Sequence, residues 1–271
     1  MNERSPLIDA VCSASIDTVE LLINNGADVD AKDDYGCTAL MYAIENGHHV
    51  IAKMLVNKSI YIDIQNNYKE TPLIIATIEG QKELVVYLLD RGANIEICDK
   101  YRHTPLMWAI TNGYYDIVEI LINNGANINY QQNRFKNAPL LRAITMDEYA
   151  IAELLINKGA NLYVKNLHHI TPLMYAIKHD NSPIVDLIIC KVMENVPKDV
   201  DYGVPCQTIE HFYKENNIEA LLNDANLYED IRQSLSIIRN HVYRRKVYIE
   251  LFKIECLKGD PLNVVLSYLS K

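Results

Sequence analysis

Three stretches decide the fold of this chain, because they recur at intervals of 33 residues: Thr38-Ala39-Leu40-Met41, Thr71-Pro72-Leu73-Ile74 and Thr104-Pro105-Leu106-Met107. Variants of the phrase extend the series at steps of 33 or 34 residues: Ser5-Pro6-Leu7-Ile8, Ala138-Pro139-Leu140-Leu141 and Thr171-Pro172-Leu173-Met174. A fixed period of this length is typical of a repeat architecture, in which each unit buries its apolar face against its neighbours. The sequence therefore predicts six repeats, which begin near residues 5, 38, 71, 104, 138 and 171.

The second repeat indicates the local structure that the phrase encodes. Thr38 is suited to cap a short helix, since its side-chain oxygen can accept from the first free amides, and a following proline needs no donor there. Gly47 is suited to the turn into a second helix. We expect the apolar faces of the two helices to contain Leu40, Met41, Ala43 and Ile44 in the first and Val50, Ile51, Met54 and Leu55 in the second.

A second phrase keeps the same phase along the chain: Gly26-Ala27-Asp28, Gly92-Ala93-Asn94, Gly125-Ala126-Asn127 and Gly159-Ala160-Asn161. We expect its glycines at the C-terminal ends of the second helices, where a left-handed residue is favoured. With both phrases in phase, residues 1–191 resemble the ankyrin repeat. The resemblance implies an all-α ankyrin-repeat solenoid of helix–turn–helix units with β-hairpin-like connecting loops, and it implies binding rather than catalysis.

Two columns of residues recur in phase with the repeats. The tip row stands three residues before each phrase and contains Tyr35, Tyr68, Tyr101, Phe135 and His168. The helix row stands four residues after each phrase begins and contains Tyr42, Ile75, Trp108, Arg142 and Tyr175. Resemblance to ankyrin binders places both rows on the concave surface, and their aromatic rings could together cover roughly 1,000 Å².

Aromatic residues and arginine are the types that protein interfaces favour as anchors. We therefore predict that a protein partner contacts Tyr35, Tyr42, Tyr68, Tyr101, Arg102, Trp108, Phe135, Arg142 and Tyr175. The alternative is that the rings only hold adjacent loops together. The loop charges change from acidic in residues 30–37 to basic in residues 129–137, which would orient a partner or serve only solubility.

Composition and motifs disfavour several other classes of protein. With 26 basic and 35 acidic residues the net charge is −9, which argues against sequence-independent binding of nucleic acid. We find no apolar run of the roughly 18 residues that span a bilayer, and no signal peptide at Met1-Asn2-Glu3-Arg4. No phosphate loop, nucleophile elbow or zinc motif is present, so we predict no enzymatic activity, no cofactor and no metal.

The last eighty residues depart from the period. Residues 192–271 are expected to form a helical extension, with a degenerate seventh repeat at about 206–227. Residues 260–269 resemble the opening of an F-box, in which a proline precedes an apolar helix, and the residues that carry this likeness are Pro261, Leu262, Val265, Leu266 and Leu269. This segment either recruits an adaptor or caps the exposed end of the repeats, and one role does not exclude the other.

Ankyrin repeats followed by such a segment resemble poxviral and intracellular-bacterial (rickettsial-type) effectors with an F-box-like, or PRANC-like, end. That resemblance implies a substrate receptor that holds a host protein on its repeats and recruits the Skp adaptor of a cullin ubiquitin ligase. The alternative is an inhibitory scaffold that masks a host signalling or trafficking protein without a ligase. In either case we expect the protein in the cytoplasm, or in the nucleus, of a host cell. Its scattered cysteines are then expected to be reduced thiols.

Overall fold

Every described repeat begins with a helix of seven residues. The structure is a computed structural model and describes residues 5–59, 61–131, 135–168, 170–178 and 182–194. Within these ranges the helices are α1 (Pro6–Cys12), α2 (Ile16–Asn24), α3 (Ala39–Glu45), α4 (His49–Val56), α5 (Pro72–Ile78), α6 (Lys82–Asp90), α7 (Pro105–Thr111), α8 (Tyr115–Asn123), α9 (Pro139–Thr145), α10 (Tyr149–Asn157), α11 (Pro172–Lys178) and α12 (Ser182–Glu194).

The threonine that opens a repeat caps its first helix, as the sequence predicts. In the repeats that start at 38, 71 and 104, the threonine hydroxyl accepts a hydrogen bond from the amide three residues later, at 3.4, 3.2 and 3.4 Å. Thr171 caps α11 in the same way at 3.2 Å. Ala138 occupies this position before α9 and has no side-chain oxygen, so the amides of that helix lack a side-chain acceptor there.

The chain divides after Ile170 into two units. In the first unit, α1, α3, α5, α7 and α9 pack side by side as an inner layer, and α4, α6, α8 and α10 form an outer layer. Each inner helix also packs against the outer helix of its own repeat. This arrangement confirms the predicted all-α repeat solenoid. In the second unit, α11 packs against α12.

The core lies between the two layers. Leu40, Met41, Ala43 and Ile44 are buried in α3, as expected. In α4 the expected face is only partly correct, because the buried residues are Ile51, Ala52, Leu55 and Val56, while Val50 is 62% exposed. Ala52 lies on the face of α4 that packs against α3. The spacing of the apolar residues alone does not separate this face from the one that contains Val50.

Four glycines have the left-handed backbone predicted at the ends of the second helices: Gly26, Gly92, Gly125 and Gly159. The boundaries of the repeat region and of the extension stay predictions. Residues 195–271, which include the proposed seventh repeat and the F-box-like segment, lie outside the described residues. Within the described ranges, no helix combines the length and the apolar character that crossing a membrane would require.

Candidate partner-binding surface

An aspartate or asparagine organises each described loop that leads into a new repeat. Its Oδ1 accepts hydrogen bonds from the backbone amides two and four residues later, at 2.8 to 3.0 Å. The residues that do this are Asp33, Asn66, Asp99 and Asn166. These side-chain bonds add to a backbone bond from the amide of the same residue to the carbonyl four residues later, and together they fix the loop conformation.

The other polar side-chain atom of the loop residue, Oδ2 in aspartate or Nδ2 in asparagine, has a bonding partner that depends on the helix-row residue. Asp33 Oδ2 accepts from the Tyr42 hydroxyl at 2.7 Å, and Asp99 Oδ2 accepts from Trp108 Nε1 at 3.1 Å. Ile75 has no donor to offer, and there the loop residue is an amide, Asn66. Its Nδ2 donates to Glu70 Oε2 at 2.8 Å. In the repeats that start at 38, 71 and 104, an acid therefore stands where the helix row supplies a donor, and an amide stands where it does not.

Backbone hydrogen bonds connect neighbouring loop tips. The carbonyl oxygen of a tip-row residue accepts from an amide in the next tip: Tyr35 from Asn67 at 2.9 Å, Tyr68 from Lys100 at 2.9 Å, and Phe135 from Leu167 at 3.1 Å. Because the bonds lie in the main chain, they set the spacing of the tips without using the aromatic side chains. The alternative prediction is that the rings only hold adjacent loops together. The backbone bonds already connect these loops, so the rings are not required for that role.

The tip-row rings remain substantially open to solvent. Tyr35 is 49%, Tyr68 48%, Tyr101 58% and Phe135 51% exposed. Lys100 lies between two of them, with its Nζ 3.8 Å from the Tyr68 ring centroid and 4.9 Å from that of Tyr101. The structure thus presents one partly exposed ring per repeat at these four tips, with a cation at the middle pair.

The helix row is more enclosed than the tip row. Tyr42, Trp108 and Arg142 are half-buried and Ile75 is buried. The Trp108 ring also meets His103 edge-on, with the centroids 5.4 Å apart. Burial lowers the pKa of His103, the Asp99 carboxylate opposes that shift, and the Arg142 charge adds to it.

Arg142, Arg102 and Tyr175 complete the predicted set. Arg142 Nε donates to Thr111 Oγ1 at 3.1 Å, and burial lowers the pKa of its guanidinium. Arg102 is exposed at a loop tip. Tyr175 is half-buried on α11, which belongs to the second unit. Within the described ranges, no cluster of histidine, cysteine, aspartate and glutamate side chains is arranged to hold a metal ion.

Sequence reasoning missed the loop residues that support both rows. Their signal was present, since Asp33, Asn66 and Asp99 recur at steps of 33 residues and Asn166 follows two periods after Asp99. This phase indicates a repeated structural role for a short polar residue in each of these loops.

Comparison with known proteins finds ankyrin repeats in the first part of the chain. Residues 1–66 and 60–132 match the family model described as ankyrin repeats, in three copies. No curated protein matches the chain at a significant level.

Proposed function

We propose that this chain, whose residues 1–132 match a family model of ankyrin repeats, is a non-enzymatic binding module whose protein partner packs against the tip row and the helix row. The observation that carries this proposal is the display of one half-exposed ring at each of four successive tips. Burying rings of this kind is a principal source of binding free energy at interfaces.

The hydrogen-bond pattern favours the tip row as the energetic centre. The polar atoms of Tyr42 and Trp108 already bind buried carboxylates within the repeat, so these rings are committed to the loop structure. The loop tips are connected through backbone atoms of tip-row residues, and four tip-row rings are about half exposed, so they offer surface to a partner. A surface that is ordered before binding loses less conformational entropy when the complex forms.

Affinity capture with a matched pair of variants tests this proposal. The tip variant carries Tyr68→Ala, Tyr101→Ala and Phe135→Ala in the full chain. The control carries Tyr61→Ala and Tyr115→Ala, which remove exposed rings outside both rows. Proteins captured from eukaryotic cell lysate by the wild type are quantified for each variant by mass spectrometry.

We expect the tip variant to lose the captured partner at least about tenfold while the control keeps it. Thermal unfolding of the tip variant should stay close to that of the wild type. Loss of the same partner from both variants, or its retention by the tip variant, would contradict the proposal. Trp108→Ala is unsuitable for this test, because it would strip a donor from the buried Asp99 and destabilise the loop.

We further propose that the protein is a substrate receptor that brings a host protein to a cullin ubiquitin ligase through residues 260–269. The support is the Pro261-Leu262 start followed by the apolar positions Val265, Leu266 and Leu269 at helical spacing. Exchange of Leu262 and Leu266 for aspartate in the full chain should abolish capture of the Skp adaptor and spare the partner. If the variant captures as much adaptor as the wild type, this role is excluded. If neither the wild type nor the variant captures the adaptor, an inhibitory scaffold is favoured.

A further inference from the structure

One backbone position repeats at the loop tips with a left-handed conformation. In the loops before repeats two to five it is occupied by Gly36, Lys69, Arg102 and Lys136, with φ of +72°, +61°, +63° and +52°. Glycine adopts this conformation freely, whereas a residue with a Cβ is strained in it. Strained backbone positions of this kind cluster at functional sites, so we expect the side chains at this position to have a function.

The three strained residues are all cations, and each follows the tip-row residue directly. The first tip has glycine at this position, and its surroundings carry the exposed Asp34. The later tips therefore present pairs of one aromatic ring and one cation: Tyr68-Lys69, Tyr101-Arg102 and Phe135-Lys136. Lys100 adds a further cation between the rings of Tyr68 and Tyr101.

Asp99, which precedes Lys100 and Arg102 in the chain, is turned away from solvent. Asp99 is 2% exposed, and its two oxygens already accept from Tyr101, His103 and Trp108. Its charge is directed into the loop rather than towards solvent. Two cations, Lys100 and Arg102, therefore stand beside a buried acid at this tip, and Lys136 stands at the next one, although the chain as a whole carries a net charge of −9.

Arg142 is a second, independent sign of an anionic ligand. It is half-buried, its Nε donates to Thr111, and no further side-chain acceptor for its guanidinium is found among the described residues. Within the same part of the chain no carboxylate lies at ion-pair distance from it, whereas Lys82 pairs with Asp116 at 2.8 Å. A guanidinium has five donors in a planar fork that matches a carboxylate.

We infer that this surface binds an acidic segment of the protein partner, with an aspartate or glutamate carboxylate on Arg142 and the neighbouring residues on the Tyr101-Arg102 and Phe135-Lys136 tips. The inference rests on the proposed binding function and specifies the chemistry of the partner. Carboxylates fit the cations, and the rings between them bury the aliphatic parts of the segment.

A peptide-binding measurement on the full chain tests the inference. The probe is a fluorescein-labelled peptide of alternating glutamate and glycine, and its counterpart has lysine in place of glutamate. Fluorescence anisotropy compares the wild type with Arg142→Gln and with Lys82→Gln, which makes the same charge change on the outer layer. We expect binding of the glutamate peptide alone, weakened at least about tenfold by Arg142→Gln and less than about twofold by Lys82→Gln.

Two glycine variants keep the test independent of folding. Arg102→Gly and Lys136→Gly remove a cation and relieve a left-handed backbone, so each should raise the unfolding temperature while weakening the glutamate peptide by about twofold to fivefold. A stabilised protein with weaker binding cannot be explained by partial unfolding.

The inference fails if the glutamate peptide does not bind, if the lysine peptide binds equally, or if Arg142→Gln matches Lys82→Gln. If the peptide measurement fails in one of these ways but the tip variant loses the captured partner, only the inference of an acidic segment is overturned. Retention of that partner by the tip variant would overturn the proposed binding function itself.

Discussion

Asp33 and Asp99 use both carboxylate oxygens inside their own repeats, and this gives Tyr42 and Trp108 of the helix row a structural role. Tyr42 and Trp108 each supply the donor that a buried carboxylate oxygen needs. An unsatisfied buried acceptor costs more free energy than the hydrogen bond that would satisfy it. The two aromatic rows therefore differ in function even though they recur with the same period.

Tyr42→Phe tests this difference directly. It removes the hydroxyl that donates to Asp33 Oδ2 at 2.7 Å and keeps the ring, so we expect unfolding free energy to fall by about 1–3 kcal/mol in urea titrations. Tyr35→Phe, which removes a hydroxyl from a half-exposed tip ring, should change it by less than about 0.5 kcal/mol. Equal effects of the two variants would contradict the assignment of separate functions.

The pKa of His103 predicts a pH-dependent contribution to stability. Burial lowers the pKa in the folded protein, Asp99 opposes this, and Arg142 lowers it further, from an ordinary value of 6.5. The unfolded chain thus binds the proton at higher pH than the folded chain. This contribution is present above about pH 6.5 and is lost as the pH falls below that value.

Urea titrations from pH 7.5 to pH 5.5 check this sign. Wild-type stability should fall more steeply towards acid pH than that of His103→Gln, which has no titrating ring. A parallel pH dependence in the two proteins would show that His103 is protonated equally in the folded and unfolded chains.

The first helix of each repeat owes its start to a cap that can be added or removed. Ala138→Ser should supply α9 with the side-chain oxygen that Thr104 gives α7, and raise stability by about 0.5–2 kcal/mol. Thr104→Ala should lower it by a similar amount. Denaturant midpoints measure both changes, and a destabilised Ala138→Ser protein would mean that the tight packing at this site outweighs the cap.

Helix positions were predictable from sequence because capping residues, prolines and left-handed glycines act locally. The caps of α3, α5 and α7 and the burial of Met41 and Ile44 agree with the pattern. The face of α4 was only partly predictable, since the apolar residues of a short outer helix span more than one face. Packing against α3 then buries Ala52 and exposes Val50.

The rows were predictable as columns of residues, but their hydrogen-bond partners were not. A one-dimensional pattern does not show that the Trp108 ring nitrogen reaches Asp99 or that Arg142 lies on Thr111, because these contacts cross between elements. The strain at Lys69, Arg102 and Lys136 was equally hidden, since a lysine or arginine in a loop gives no sign of its φ angle.

The salt dependence of peptide binding distinguishes attraction by local cations from repulsion by the net charge of the chain. Its net charge is −9, so an acidic peptide that responded to the overall charge would be repelled and would bind better as salt screens the repulsion. Local attraction to Arg102, Lys136 and Arg142 predicts the opposite. We expect the affinity for the glutamate peptide to fall by about tenfold as sodium chloride rises from about 50 to about 500 mM. An affinity that rises with salt would contradict a cationic binding surface.

The most direct measurement is site-specific photocrosslinking of the full chain in eukaryotic cells. A benzophenone amino acid replaces Tyr101 at the tip row in one chain and Tyr115 on the outer helix α8 in another, both of which are exposed. We expect a discrete cross-linked protein from position 101 and none from position 115. A cross-link at position 115 with none at 101 would place the partner on the outer layer and contradict binding at the tip row.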